Sequence, residues 1–262
     1  MIGLILGTAE GKNILSLLNE FTKDILVSTA TVYGGDLLKD YKYILINTKP
    51  LNLDALKDLL IINNISLLID ASHPYATEIT TNCKTVCAEL NINYLRYERA
   101  SVAERYRNNE RVIFLNSYEN LKDKMATIEA LGTEENVILN TTGSKNIGKI
   151  LSLGILNRIV HRVLPSVRVM KECLELGVKV DDIIAIKGPI GYDLNVGFIR
   201  QYNAKALILK DSGLQGGTEE KIKAALSEGL YVFVIERKKE EFKNVFYSEE
   251  SLVKYIKENN LY

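Results

Sequence analysis

Short apolar runs alternate with amphipathic segments along the whole chain. Leu67, Leu68 and Ile69 form a run of strand length with no polar residue between them, which is typical of a strand covered on both faces. Residues 75–90 follow it with apolar positions at helical spacing on one side. The pattern predicts parallel sheets whose strands are joined by helices, and therefore an α/β protein.

The apolar runs fall into two series. The first contains runs at 2–6, 25–28, 43–47, 65–69 and 92–97. The second contains runs at 112–115, 137–140, 158–164, 183–187, 206–210 and 231–235. Each series is sufficient for a doubly wound sheet, because neighbouring parallel strands need crossover helices. We predict an N-terminal lobe over 1–97, a linker over 98–110 and a C-terminal lobe over 111–262, and the packing of 245–262 stays open.

The predicted linker is rich in arginine and glutamate, and hydrophobic periodicity lapses there. Arginine suits carboxylate and phosphate binding because its planar fork donates two hydrogen bonds at once. A solvated linker with exchanging ion pairs is the preferred interpretation for Arg105 and Arg107. Arg96 and Arg99 lie nearer the end of a predicted strand, and they are stronger candidates for binding an anionic group.

Composition excludes several classes of protein. The 262 residues are 47% hydrophobic and 25% charged, which is ordinary for a globular protein. Lysine plus arginine equals aspartate plus glutamate at 33 each, which argues against nucleic acid or an anionic membrane as the main partner. Three cysteines and two histidines indicate neither a disulfide framework nor a metal site. The apolar stretch at residues 1–7 is too short for the hydrophobic region of a signal peptide. No later run approaches the about 20 apolar residues that a membrane-spanning helix needs, so we expect a cytoplasmic protein.

A polar cluster follows the strand at Leu67–Ile69. Asp70, Ser72, His73 and Tyr75 come directly after it, and Pro74 prevents the strand from continuing. Ligands bind at this edge of open α/β sheets, where helix N-termini and loop amides converge. His73 suits proton transfer near neutral pH, or it caps the loop. Asp70 either orients His73 or accepts hydrogen bonds from backbone amides of the turn. Tyr75 either stacks on a flat ring or packs in the core.

A glycine turn joins the first strand to the first helix. Gly7, Thr8, Glu10 and Gly11 give the strand–turn–helix arrangement that lets a backbone approach a phosphate. The spacing G-x-G-x-x-G is absent, so a turn that needs glycine for its own geometry is equally compatible. Residues 29–35 contain neither an acidic residue, which would bind the ribose hydroxyls of NADH, nor an arginine, which would bind the extra phosphate of NADPH. The charged residues therefore do not distinguish between the two cofactors.

Four predicted strand ends of the C-terminal lobe are polar. They are the segments Asn140-Thr141-Thr142-Gly143-Ser144-Lys145, Arg162-Val163-Leu164-Pro165, Lys187-Gly188-Pro189 and Lys210-Asp211-Ser212-Gly213. One polar strand end is routine, whereas four in one sheet indicate a functional face.

Several of these segments together resemble a known family. The segments are Gly7-Thr8-Ala9-Glu10-Gly11, Asp70-Ala71-Ser72-His73-Pro74-Tyr75-Ala76, Leu95-Arg96-Tyr97-Glu98-Arg99 and Lys210-Asp211-Ser212-Gly213. In this order they resemble the precorrin-6A reductase family of cobalamin biosynthesis, including its cobalt-precorrin-6A form. The resemblance extends from residue 3 to about residue 237. Ala100 and Lys238 stand where the family commonly has proline, which alters loop stiffness more than chemistry.

The resemblance implies two Rossmann-like lobes with a cleft between them, NADPH or NADH as cofactor and a tetrapyrrole-derived substrate. The family reduces one double bond of the macrocycle with a hydride from the cofactor and a proton from an acid or water, without a metal. The catalytic candidates are then His73, Asp70, Tyr75 and Ser212. The cofactor-binding candidates are Gly7, Thr8, Glu10, Gly11, Ser28, Thr29 and Ser72. The substrate-binding candidates are Arg96, Arg99, Ser144, Lys145, Arg162, Lys187, Lys210, Asp211 and Gly213.

Two other functions stay open at this point. A Rossmann-type S-adenosylmethionine methyltransferase of the same pathway and a non-enzymatic bilobal ligand-binding module would both have this alternation of elements. A serine hydrolase is disfavoured, because the sequence has no G-x-S-x-G elbow. The residues do not determine the oligomeric state, or whether cobalt is already in the ring.

Overall fold

The computed structural model describes residues 1–7, 10–237 and 240–262. These residues form two compact units: unit 1 comprises Met1–Ala100 with Lys239–Tyr262, and unit 2 comprises Ser101–Lys238. Each unit contains one six-stranded sheet, and the strands pair in parallel throughout both sheets. The predicted α/β class with two mostly parallel sheets is confirmed.

The strands of the described residues are, in chain order, β1 (Ile2–Leu6), β2 (Ile25–Thr29), β3 (Leu45–Asn47), β4 (Leu67–Ala71), β5 (Asn93–Tyr97), β6 (Val112–Leu115), β7 (Val137–Asn140), β8 (Ile159–Val163), β9 (Ile183–Ala185), β10 (Ala204–Lys210), β11 (Tyr231–Ile235) and β12 (Val245–Phe246). The α-helices are α1 (Gly11–Leu18), α2 (Val32–Asp36), α3 (Leu53–Ile62), α4 (Thr77–Leu90), α5 (Asn120–Ala126), α6 (Ile147–Ser152), α7 (Val167–Glu175), α8 (Tyr192–Gln201), α9 (Thr218–Ser227) and α10 (Glu249–Glu258). Among the described residues, no helix combines the length and the hydropathy that a membrane span requires.

The sheet of unit 1 has the order β12-β5-β4-β1-β2-β3. The chain moves outwards from β1 through β2 to β3 and then returns to place β4 on the other side of β1. The C-terminal ends of β1 and β4 therefore flank the point at which the strand order reverses, where ligands bind in doubly wound folds. Every residue of β1, β2 and β4 is buried, as their apolar runs predict, and the burial extends to Ser28 and Thr29 at the end of β2 and to Asp70 in β4.

Helices cover both faces of this sheet. On one face, β1 packs with α1 and α10 around Leu15 and Ile256, which are both fully buried. On the other face, α3 and α4 contribute Leu60 and Val86, and the buried Cys83 and Cys87 pack with them. These two free cysteines are therefore core residues.

The sheet of unit 2 has the order β6-β11-β10-β7-β8-β9. Its strands β9-β8-β7-β10-β11 repeat the order of β3-β2-β1-β4-β5 in unit 1. Each sheet then adds a sixth strand beside its fifth one, β12 in unit 1 and β6 in unit 2. The order reverses at the ends of β7 and β10, and this is the ligand-binding edge expected for unit 2.

The boundaries of the two units differ from the predicted lobes. Val102 and Ala103 are buried, and Ala103 belongs to the core of unit 2 and begins a short 3₁₀ helix, so these two residues are part of unit 2 and not of a solvated linker. Arg105 and Arg107 are exposed, as the solvated interpretation predicts. Lys239–Tyr262 returns to unit 1, because β12 pairs with β5 and α10 packs on the core beside α1. Hydrophobic periodicity does not reveal the burial of Val102 and Ala103, because only a few positions of the predicted linker are buried.

Candidate functional site

The turn after β1 contacts the turn after β4 at the reversal point of unit 1. The Gly7 N–H donates to the carbonyl oxygen of Ala71 at 3.3 Å. A Cβ atom at Gly7 would lie 2.8 Å from the backbone nitrogen of His73 and 3.2 Å from the Cα of Ser72. Since real Cβ atoms do not approach a backbone this closely, the contact requires glycine. The structure therefore brings Gly7, Ser72 and His73 together.

Gly11 has a packing role of its own. A Cβ atom there would lie 2.5 Å from the side chain of Leu6, so glycine lets α1 start close against the end of β1. Thr8, another predicted cofactor-binding residue, lies outside the described residues. The glycines are thus explained by close packing, which is also what a dinucleotide turn needs between its strand and its helix.

Glu10 and Arg99, predicted to bind cofactor and substrate respectively, bind each other. Arg99 Nε lies 2.5 Å from Glu10 Oε1, and Arg99 Nη2 lies 2.7 Å from Glu10 Oε2. Glu10 is 2% exposed and Arg99 is 7% exposed. This bidentate pair joins the end of β5 to the N-terminus of α1, where a carboxylate is also favoured by the helix dipole. Each charge is thus compensated inside unit 1, and the predicted roles of the two residues in binding cofactor and substrate stay predictions.

Arg96 and Asp70 form a second buried ion pair. Arg96 Nη1 lies 2.8 Å from Asp70 Oδ1 and donates to Ser72 Oγ at 3.0 Å, and the two charged side chains are at most 1% exposed. Asp70 also accepts from the Ser72 N–H at 2.9 Å and from the Tyr94 hydroxyl at 3.0 Å. Burial, followed by the charge of Asp70, raises the pKa of Tyr94 well above its usual range.

This network corrects two predictions. Arg96 was expected to hold substrate carboxylates, but its guanidinium is buried and directed at Asp70 and Ser72. Asp70 was a catalytic candidate, and the structure shows the alternative, a carboxylate that holds the turn after β4. Ser72, a predicted cofactor residue, is buried with its hydroxyl 3.1 Å from that of Thr80.

His73 and Tyr75 are half-buried beside this network. The backbone N–H of Tyr75 donates to His73 Nδ1 at 3.2 Å, and the two ring centroids are 5.9 Å apart. Because Nδ1 accepts a hydrogen bond, the proton of the neutral ring is on Nε2. The turn therefore orients the imidazole and leaves Nε2 as its donor nitrogen.

The end of β2 presents few polar groups for a ligand. Ser28 is 3% exposed and accepts from Asn47 Nδ2 at 2.9 Å, while Thr29 is 6% exposed and donates to the Thr31 carbonyl at 2.9 Å. Both hydroxyls are turned into the protein, so their predicted contact with a ribose gains no side-chain support. The strand order and the glycine turn before α1 nevertheless fit a dinucleotide.

Asp211, at the end of β10 in unit 2, is also a structural residue. Its carboxylate accepts from Ser101 Oγ at 2.6 Å, from the Gly213 N–H at 3.2 Å and from the Val102 N–H at 3.4 Å. Asp211 is 4% exposed. It therefore attaches the first residues of unit 2 to the sheet, and its contact with substrate stays a prediction. Gly213 serves the same turn with a φ of +75°, which favours glycine.

The other predicted residues of unit 2 lie at or near the C-terminal ends of β7 to β10. Ser144 and Lys145 form a short 3₁₀ helix after β7, and Lys145 is exposed. Lys187 is exposed in the segment after β9, while Lys210 and Ser212 are half-buried at the end of β10. Burial and the charge of Lys145 both lower the pKa of Lys210.

A small pocket lies between the sheet of unit 2 and helices α8 and α9. Its polar lining residues are Thr141, Arg162, Asn195 and Lys221, and its volume is about 10 Å³. Arg162 Nη1 donates to Asn195 Oδ1 at 2.9 Å, and Lys221 is 6% exposed. Burial lowers the pKa of Lys221 to about 7, and the charges of Arg162 and Lys210 act in the same direction. Burial alone lowers the pKa of Arg162 to about 10. We call this the Arg162–Lys221 pocket.

Lys221 and Asn195 were not among the predicted site residues. Lys221 follows Glu219 and Glu220, which together have the composition of a solvated helix face. A signal was nonetheless present, since helical spacing places Lys221 on the same side as Thr218, Ile222 and Ala225, all of which are buried.

The strand orders define two Rossmann-type units. The family model described as Precorrin-6x reductase CbiJ/CobK matches residues 1–257. The chain belongs to this family of oxidoreductases, and the resemblance seen in its motifs is confirmed. The assignment favours the reductase over the methyltransferase and the binding module.

Named relatives agree with the family model. Cobalt-precorrin-6A reductase of Methanocaldococcus jannaschii is 34% identical over 232 residues, which cover 88% of each chain. Cobalt-precorrin-6A reductase of Priestia megaterium is 31% identical over 259 residues, which cover 97% of this chain and 96% of the relative. A solved structure of CobK precorrin-6A reductase matches with a TM-score of 0.76 and 17% identity, covering 99% of this chain and 97% of that one, which shows a shared fold.

Proposed function

We propose that this protein reduces one double bond of the precorrin-6A macrocycle, with or without cobalt in the ring, using NADPH or NADH. The observation that carries the proposal is the match of 257 residues to the reductase family, together with relatives named cobalt-precorrin-6A reductase that are aligned over most of their length. The polar edges of the two sheets supply residues for a cofactor and for an anionic substrate.

Unit 1 is the proposed cofactor unit. The backbone of the turn at Gly7 and the first turn of α1 would hold the pyrophosphate, because helix N-termini favour anions. The bound nicotinamide supplies the hydride. Glu10 and Arg99 fix the start of α1, and the Arg96–Asp70 pair fixes the turn after β4. We therefore assign these four residues to positioning the site.

His73 is the proposed proton donor. The Tyr75 N–H holds Nδ1 of the neutral ring, so its Nε2–H is a hydrogen-bond donor at the same edge as Gly7. To act as an acid the ring must first be protonated at Nδ1, which breaks the bond from Tyr75 and gives the imidazolium that releases the Nε2 proton. Tyr75 is half-buried beside this imidazole and offers an aromatic face to a flat ligand. Ser212, half-buried at the end of β10, stays a candidate for a hydrogen bond to substrate.

Unit 2 is the proposed substrate unit. The macrocycle of this family carries several acetate and propionate groups, and cations bind carboxylates by charge-assisted hydrogen bonds. Arg162, Lys145, Lys187 and Lys210 lie at or near the C-terminal ends of consecutive strands of the sheet, whereas Arg96 and Arg99 are used inside unit 1. The proposal therefore assigns carboxylate binding to unit 2.

Anaerobic incubation tests the proposal directly. The protein is mixed with metal-free or cobalt-bound precorrin-6A and with NADPH or NADH, and loss of the reduced-nicotinamide absorbance is followed. We expect stoichiometric oxidation with at least one pair, and the faster pair identifies cofactor and substrate. Absence of oxidation with all four pairs, in protein whose folding is verified by circular dichroism, would contradict the proposed function.

A further inference from the structure

Lys221 is a buried cation for which the described residues show no hydrogen-bond or ion-pair partner. It is 6% exposed, and its side chain lines the Arg162–Lys221 pocket from helix α9. Leaving an ammonium group buried without a partner is costly, because it loses its hydration and gains nothing in exchange. Such a group indicates that a partner is supplied by a bound molecule.

The charged groups around Lys221 do not compensate it. Arg162 on β8 and Lys210 on β10 both lower the pKa of Lys221, and Asp211 after β10 is the carboxylate that raises it. The carboxylate of Asp211, however, accepts hydrogen bonds from Ser101, Val102 and Gly213. Helix α8 contributes Asn195, Phe198 and Ile199 to the lining and adds no charge there. The pocket therefore holds two cations without an anion of its own.

Asn195 fixes the guanidinium that shares the pocket. Its Oδ1 accepts from Arg162 Nη1 at 2.9 Å, and its Nδ2 donates to the carbonyls of Gly191 at 2.8 Å and Ile190 at 3.2 Å. The hydroxyl of Thr141 is occupied as well, since it donates to the Ile208 carbonyl at 2.9 Å. The donors that remain for a ligand are thus Lys221 Nζ and the other N–H groups of Arg162.

We propose that the Arg162–Lys221 pocket binds one carboxylate group, and that in turnover this group is an acetate or propionate side chain of the substrate. The assignment of this carboxylate to the substrate rests on the proposed function. A carboxylate supplies the missing negative charge and accepts from both cations. The pocket volume of about 10 Å³ is on the order of one water molecule, so the pocket has room for a carboxylate oxygen between the two cations and excludes a ring. Asn195 is a positioning residue, because it acts through Arg162.

Lys221→Met is the main test, and Lys223→Met is its matched control. Lys223 lies on the same helix but is 53% exposed and pairs with Glu219 at 3.1 Å. Sodium propionate is titrated into each protein and followed by two-dimensional NMR, with sodium chloride at equal ionic strength as reference. We expect saturable shifts around α8 and α9 in the wild type and in Lys223→Met, and none in Lys221→Met.

Two results of this titration would overturn the proposal. One is a response to propionate no larger than the response to chloride, and the other is an unchanged response in Lys221→Met. Inorganic phosphate is titrated in parallel, and tighter binding of phosphate than of propionate would overturn the assignment to a carboxylate. Arg162→Gln gives a second variant on the opposite wall and is expected to lose the response as well.

Turnover separates the pocket from the proposed function. With substrate, Lys221→Met is expected to raise KM roughly ten- to hundredfold while kcat changes much less, because one charged contact is lost on binding. Unchanged KM would overturn the assignment to the substrate even where propionate binds. If the wild type reduces no precorrin but still binds propionate, the proposed function fails and the carboxylate pocket stands.

Discussion

Arg96 and Lys221 are both buried cations, but they differ in what compensates their charge. Arg96 lies 2.8 Å from the carboxylate of Asp70 and also contacts Ser72 and Glu98. Lys221 shares its pocket with Arg162, a second cation. A paired buried cation indicates a structural role, whereas an unpaired one indicates a binding site. The amino-acid type alone does not distinguish the two cases.

Arg96→Gln should destabilise unit 1 by about 3–5 kcal/mol, because it leaves the carboxylate of Asp70 buried and without its cation. Urea unfolding followed by circular dichroism measures the change. Arg105→Gln is the control, since Arg105 is 66% exposed and its contact with Glu219 is 3.8 Å long. A variant of Arg96 with full stability and a raised KM would instead restore this residue as a substrate ligand.

Lys221→Met should stabilise the protein, and the gain should depend on pH. Burial lowers the pKa of Lys221 from 10.5 to about 7, so the folded state carries the cost of the charge in full below pH 7. Between pH 7 and 10.5 the unfolded chain binds the proton and the folded protein does not, so wild-type stability rises with pH. The advantage of the variant is therefore largest at and below about pH 6.5, where it is on the order of 3–5 kcal/mol, and it shrinks towards pH 10.

Urea unfolding at pH 6.5 and at pH 9.5 measures this difference between variant and wild type. Lys223→Met is expected to show no such pH dependence, because Lys223 is exposed. A substitution that stabilises the fold while abolishing propionate binding is typical of a residue kept for function. Loss of stability at both pH values would contradict the assigned environment of Lys221.

At the level of the elements, the turn between β1 and α1 depends on glycine. The Cβ atom of Gly7→Ala would lie 2.8 Å from the backbone of His73, so the turn after β4 must shift. We expect a loss of about 1–3 kcal/mol in stability and weaker binding of the reduced nicotinamide. Thermal unfolding with and without cofactor measures both effects.

Gly197→Ala is the control for this substitution. Gly197 lies inside α8, and a Cβ atom there meets no other atom within 4 Å. Alanine in an exposed helix interior is favoured over glycine by up to about 1 kcal/mol. The control should therefore stabilise the protein. An equal effect of both substitutions would show that the contact between the two turns is unimportant.

Sequence pattern predicts the strands of this fold better than its side-chain partners. The run at Leu67–Ile69 identifies β4 because a strand covered on both faces is mostly apolar, although β4 also contains the buried Asp70. Helix α2 was not predicted, since its five residues Val32–Asp36 include two glycines and no apolar stripe. The pairing of Glu10 with Arg99 was also missed, because 89 residues separate them and only the sheet order brings them together.

On the scale of the whole molecule, unit 1 is built from both ends of the chain. The last helix, α10, buries Leu252, Val253 and Ile256 in the same core as α1 and β1. The chain must close a long loop before α10 can pack on this core, and the entropic cost of closing a loop grows only slowly with its length. The core of unit 1 is therefore completed only when the C-terminal segment is in place.

Ile256→Ala tests this dependence. Ile256 is fully buried, so removing its side-chain atoms should cost about 2–5 kcal/mol in the free energy of unfolding. The loss belongs to unit 1, so hydrogen exchange should accelerate in β1 and α1, although more than 200 residues separate them from the substitution. Amides of β7 and β10, which belong to unit 2, should keep their protection. Lys254→Ala, exposed on the same helix, is the control and should leave both units unchanged. Equal acceleration in the two units would mean that they unfold as one cooperative body, which would contradict the assignment of the loss to unit 1.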